Sequence, residues 1–244
     1  MCALLLFSCK DRRTTPAAVT TSVEETALSV ILGESEDMGK EYIDSFVFFG
    51  ESTTYHLKSR GVLSEGRDTA QVLGNSSGTA ILDPYTASTE VIYPETGEVM
   101  SFSEAISRKK PKYLFMCFGL NGAAAKLRRG SEYFKSCYRE LIAAVRQVSP
   151  ATKIILGSCY PVAENMDMSN YSLSLDGLNA AIETINGWTV ELCAEQGIRY
   201  LNINEVLTDE NGRLRLEYQV GDGHHLTAEA YRKILYYIRT HGYR

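Results

Sequence analysis

The sequence lacks any apolar run long enough to cross a bilayer: its opening stretch, Ala3 to Phe7, falls far short of the roughly 20 residues that a spanning helix needs. Positive charge is not in excess either. With 25 Lys and Arg against 30 Asp and Glu, the chain carries −5, so it offers no electrostatic footprint for a phosphate backbone and no nucleic-acid partner is expected. The cysteines at 2, 9, 117, 137, 159 and 193 form no Cys-x-x-Cys pair and no metal-ligand spacing. They read as structural thiols, with a disulfide between neighbouring strand ends left open. Internal repeats are absent, and histidine is scarce: four in all, His56, His224, His225 and His241. No metal or organic cofactor is called for.

What is present is ordinary for a globular chain of 244 residues, 44% hydrophobic and 23% charged. That is enough to build a core without disulfide or metal staples, as one large domain or two small ones. The N-terminus does not read as the start of a folded domain. Leu6-Phe7-Ser8-Cys9 resembles the lipobox of bacterial lipoproteins, in which the cysteine is lipidated. Residues 1–9 are therefore expected to be a truncated lipoprotein-type signal ending at Cys9, with 10–40 a polar tether and 41–244 the folded unit. The expected location is extracytoplasmic, with the membrane touched only through that lipid; the alternative is an irregular terminus of a cytoplasmic protein. The sequence assigns no oligomeric state.

From about residue 40, short β-branched or aromatic runs alternate with helical patterns. Ser45–Phe49, Lys112–Phe118, Lys153–Gly157 and Arg199–Ile203 read as buried strands, and Gln71–Leu73 as a weaker one. Ser131–Val148, Leu178–Glu195 and Thr227–Arg239 carry apolar residues at helical spacing. The segment from Asn75 to Val99 reads as an irregular insertion with turns or a small hairpin. Strands separated by helices imply βαβ crossovers: an α/β fold with a mostly parallel sheet covered on both faces. Ligands in such folds bind beyond the carboxyl ends of the strands. Three loops should meet there: Gly50-Glu51-Ser52-Thr53-Thr54, Gly119-Leu120-Asn121-Gly122, and Gly221-Asp222-Gly223-His224-His225.

A serine between a strand and a helix can present its Oγ beside unpaired helix N–H groups, which favour a developing oxyanion. It needs a base. Asp222 and His225 are three residues apart, close enough for the carboxylate to hold one ring nitrogen while the other faces a serine. His241 lies at the C-terminal end, His56 shows no partner carboxylate, and His224 reads as a neighbour lining the site. A second Gly-Glu-Ser, Gly33-Glu34-Ser35, follows another apolar run. Glu36 and Asp37 come next, however, and would repel an oxyanion, so Ser52 is preferred.

Together, Gly50-Glu51-Ser52, Gly119-Leu120-Asn121 and Asp222-Gly223-His224-His225 resemble the SGNH (GDSL-type) hydrolase superfamily across roughly residues 45–244. The resemblance implies a three-layer αβα sandwich around a flavodoxin-like five-stranded sheet. It implies Ser52 as nucleophile, His225 as general base and acid, and Asp222 as the group orienting His225. The oxyanion hole would comprise the Ser52 N–H, the Asn121 side chain and a glycine N–H, with Gly78 the first choice and Gly74 the second. Two positions depart from the pattern: Glu51 stands where the family has Asp, and Gly122 where Asp follows the asparagine. The expected activity is a serine esterase removing a short acyl group, such as acetyl, from a small-molecule or glycan ester of the cell envelope. The alternatives are an O-acyltransferase with the same triad and an envelope-binding module that retains the fold.

Overall fold

The computed structural model describes residues 29–243. The strands are β1 (Phe46–Gly50), β2 (Val72–Leu73), β3 (Glu90–Ile92), β4 (Val99–Ser101), β5 (Tyr113–Cys117), β6 (Lys153–Gly157) and β7 (Arg199–Leu201). Five of them form a parallel sheet in the order β2-β1-β5-β6-β7. Every residue of β1 and β5 is buried, as expected for strands covered on both faces. β3 and β4 pair as a separate antiparallel hairpin that begins in the predicted insertion and runs past its end at Val99 to Ser101.

The helices are α1 (Lys40–Asp44), α2 (Ser52–Ser59), α3 (Phe102–Lys109), α4 (Ala123–Arg129), α5 (Ser131–Val148), α6 (Leu175–Gln196) and α7 (Ala228–Thr240). α3 to α6 pack together on one face, while α1, α2 and α7 cover the other. The result is the three-layer α/β arrangement. α5 buries Phe134, Tyr138, Leu141, Ile142 and Val145 at helical spacing. α6 starts earlier than its apolar pattern, because Ser174 Oγ accepts the Gly177 N–H at 3.1 Å and sets the cap there. The last strand is shorter than expected, since Ile203–Val206 turns into a 3₁₀ helix.

One boundary needs correcting. The tether expected over 10–40 does not extend to residue 40, because residues 31–38 are bonded to the domain. Ile31 pairs in parallel with Tyr200, and the Leu32 N–H donates to the Tyr200 carbonyl at 2.8 Å, covering the open edge of β7. Asp37 bonds Arg239 at 2.8 Å, and the Met38 N–H donates to the Arg239 carbonyl at 2.9 Å. Cys2, the Cys9 motif and the tether up to residue 28 lie outside the described residues. Cys117, Cys137, Cys159 and Cys193 are buried free thiols. Among the described residues, no helix is long and apolar enough to cross a membrane.

Candidate active site

Strand order reverses between β1 and β5, so their exits diverge and leave a crevice between them. β1 leaves the sheet at Gly50, where a Cβ would stand 2.4 Å from both the Cys117 carbonyl and Thr54 Oγ1. Only glycine lets the chain turn there into α2. Glu51 caps the helix in extended conformation, and Ser52 opens it, partly exposed.

The last loop brings the other groups. Gly221 and Gly223 take φ of 111° and 82°, a region that disfavours side chains. Gly223 also passes so close to Met166 that a Cβ would lie 2.5 Å from its Cα. Within this turn Asp222 Oδ1 accepts the N–H groups of His225, at 2.9 Å, and His224, at 3.1 Å. Asp222 Oδ2 lies 2.7 Å from His225 Nδ1, and His225 Nε2 lies 3.3 Å from Ser52 Oγ. With its proton on Nδ1, His225 donates to Asp222 and turns a free Nε2 lone pair toward the serine hydroxyl. Burial works to raise the Asp222 pKa, but the two amides and the His225 ring outweigh it and hold the carboxyl well below the usual range. Asp222 therefore stays ionised beside the imidazole.

Asn121 sits at the exit of β5 with an exposed side chain. Its backbone N–H donates to Glu51 Oε2 at 2.9 Å, and the Gly119 N–H donates to Glu51 Oε1 at 3.0 Å. Glu51, only 1% exposed, thus joins the Ser52 loop to the Asn121 loop. Burial pushes its carboxyl pKa up, while Lys126 and the two amides pull against that.

The two glycines do not stand equally. The Gly78 N–H donates to the Asn75 carbonyl at 3.0 Å and closes a turn, so it is already engaged. Gly74 follows β2 directly, and its carbonyl accepts the Ile92 N–H at 2.9 Å. Both flank Tyr55 of α2: a Cβ would meet the ring at 2.6 Å from Gly74 and 2.5 Å from Gly78.

Sequence reasoning missed the place of His56. Its ring packs 4.7 Å from that of His225, with Nδ1 buried and unpartnered. The signal was its position four residues after Ser52, on the same helical face. Burial, with His225 beside it, lowers its pKa to about 4. The His224 ring lies tilted against that of His225, centroids 3.9 Å apart, its pKa also lowered, by burial first and then by His225. The alternative serine, Ser35, instead accepts the Gly242 N–H at 2.9 Å and donates to Glu36, while His241 stacks on Tyr237. Ligand atoms of Asp222, His224 and His225 lie within 4.8 Å of one another, a donor set able to hold a transition metal.

A surface cleft of about 710 Å³ runs along the exits of β6 and β7, lined by Asn179, Asn186, Asn202 and Arg213 but by neither Ser52 nor His225. The Asn179 and Asn186 amides are spent on the backbone of Val162 and Cys159. The small space beneath α2, lined by Thr53, Thr54, Leu57, Tyr160 and Tyr231, is about 20 Å³, room for about one water.

The GDSL-like lipase/acylhydrolase family model matches residues 48–233, a span containing all three loops. No curated protein matches the sequence. Among solved structures, the chain is similar to Est24, a carbohydrate acetylesterase from Sinorhizobium meliloti, at 15% identity and a TM-score of 0.51, over 80% of this chain and 95% of that one. It is similar to the periplasmic domain of a lipopolysaccharide acetyltransferase from Salmonella ser. Paratyphi A, at 16% identity and 0.51, over 92% and 96%. An extracellular lipase from Streptomyces rimosus matches at 14% identity and 0.51, over 81% and 99%. At such identities these neighbours share a fold. The family model covers most of the sequence, and by it the chain belongs to the GDSL-like lipase/acylhydrolase family.

Proposed function

We propose that the protein is a serine esterase that removes a short acyl group, such as acetyl, from a hydroxyl of a carbohydrate or cell-envelope polymer. The observation that carries this is the continuous line from Ser52 Oγ through the His225 ring to Asp222, 3.3 Å and 2.7 Å long. His225 Nε2 takes the Ser52 hydroxyl proton as Oγ attacks the ester carbonyl carbon. The tetrahedral oxyanion is met by the Ser52 N–H at the start of α2, the Asn121 amide, and a second-loop glycine N–H. Gly74 suits that role better than Gly78, whose N–H closes a turn. The alcohol leaves with the proton held by His225. Water then attacks the acyl-enzyme with His225 again as base, releasing the acid and restoring Ser52.

The protein acts outside the cytoplasm in this proposal, held by a lipid on Cys9 of the lipobox-like Leu6-Phe7-Ser8-Cys9. Turnover of a chromogenic acetate ester tests the chemistry. Ser52→Ala and His225→Ala are each expected to lower kcat by ~1,000-fold or more, and Asp222→Asn by about 100- to 10,000-fold. Equal turnover in wild type and the first two variants would exclude the mechanism. Adding a sugar acceptor and resolving the products separates release of free acid from transfer to the sugar.

A further inference from the structure

We propose that Lys126 is a positioning residue of this site: paired with buried Glu51, it fixes the backbone on both sides of Asn121 and so aims the Asn121 amide at the oxyanion. The assignment rests on Asn121 being an oxyanion donor, as proposed above.

A carboxylate as buried as Glu51 is costly unless its charge is balanced and its oxygens are bonded. Both conditions are met by the loop it serves. Oε1 accepts from Gly119 N–H and Oε2 from Asn121 N–H, and the Lys126 ammonium lies 3.7 Å from Oε1. The Lys126 side chain is only 8% exposed, and its Nζ also donates to the Asn121 carbonyl. Asn121 is therefore held at both flanking peptide groups, leaving only its own side-chain torsions free.

The two departures from the family pattern fit this device. Glu51 supplies the two acceptor oxygens. Gly122, left-handed at φ 71°, ends the loop and starts α4 at once, which places Lys126 one turn along with its ammonium folded back over Asn121. The other titratable groups facing Glu51 are Tyr138 of α5 and Cys159 and Tyr160 after β6, and none brings a positive charge. Lys126 brings the positive charge that, with the Asn121 and Gly119 amides, favours the ionised Glu51. A protonated Glu51 would turn a hydroxyl toward one of the two amides and release it.

The test is a cycle of Asn121→Ala, Lys126→Met and the double variant in the full chain, read as kcat and KM across pH. Asn121→Ala is expected to lower kcat by about 100-fold or more. Lys126→Met is expected to lower kcat by ~10-fold or more with little change in KM, and to move the acid limb of the kcat profile to higher pH. The double variant should match Asn121→Ala alone, because Lys126 acts through that side chain. Lys126→Arg, which keeps charge and donors, should restore most of kcat. Should Lys126→Met not fold, Lys126→Gln removes the charge while keeping a donor, and the same shift of the acid limb is expected. Multiplicative losses in the double variant, or an unmoved acid limb in a folded Lys126 variant, would overturn the positioning role alone. Wild-type kcat in Asn121→Ala would overturn it together with the oxyanion assignment.

Discussion

Acidification should destabilise the fold through His56, and the size of the effect follows from its surroundings. The ring is half-buried against His225 with Nδ1 unpartnered, and its pKa falls from the ordinary 6.5 to about 4. Between these values the unfolded chain holds a proton on His56 that the folded chain does not. Stability therefore rises with pH across that window; it is complete above about 6.5 and lost as pH falls toward 4. A fully shielded ring with this displacement would lose about 2 kcal/mol by pH 5. Solvent screening of a half-exposed group reduces that to about 1 kcal/mol. In a domain of this size that corresponds to a fall in Tm of about 2–4 °C. The measurement is Tm or urea midpoint from pH 7 to pH 5 for wild type and His56→Gln, which does not titrate. Their slopes should differ by that amount whatever the offset between the curves, since titrating groups remote from His56 contribute equally to both. Parallel slopes would refute the placement of His56 as a desolvated neutral imidazole.

Two further outcomes follow from the histidine loop. Gly223→Ala forces a Cβ onto Met166 at a φ of 82°, so we expect a loss of about 2 kcal/mol or more in stability, together with reduced kcat as Asp222 and His225 shift; a variant melting and turning over like wild type would contradict the close approach. Added zinc is expected to inhibit reversibly by ligating Asp222, His224 and His225, with EDTA restoring turnover and His224→Ala weakening the inhibition; an undiminished effect in that variant would rule the cluster out.

How far the sequence could be read depended on whether each feature carried a local signature. β1, β5 and β6 announced themselves as continuous apolar runs because both faces of the sheet are covered. α5 and α7 did so through helical spacing. α3 follows directly on the expected insertion and was not read as a helix, although Ser101, whose Oγ accepts the Glu104 N–H at 3.2 Å, forms a recognisable cap. α4 buries only Ala123 and Lys126, so it has no apolar stripe to detect. The edge strand around Ile31 looked like a tether because its partner, Tyr200, is distant in sequence. The same is true of the site. Ser52, Asp222 and His225 were legible from the turns that hold them, whereas the Glu51–Lys126 pair and the burial of His56 arise only when separate loops meet.

The 3.3 Å approach of Ser52 and His225, residues far apart in sequence, requires a physical cause that acts across the whole fold. Asp222 sets the orientation of His225 within its own loop but cannot place that loop against α2. Two bonds do so. Arg60 Nε donates to the Leu226 carbonyl at 3.2 Å, one residue past His225, and the Tyr231 hydroxyl on α7 donates to the Thr53 carbonyl, one residue past Ser52. They bracket the reacting pair from both ends of the contact, with the His56 ring between as packing. Position at the serine is thus inherited from the docking of α7 on α2. That docking is in turn supported by Asp37 and Arg239, which tie the far end of α7 to the segment before α1. Weakening any of these bonds should loosen the Ser52–His225 approach before it unfolds the sheet, because the parallel core of β1, β5 and β6 does not depend on them. Loss of turnover on the acetate ester should therefore precede loss of the global melting transition in variants of Arg60 and Tyr231.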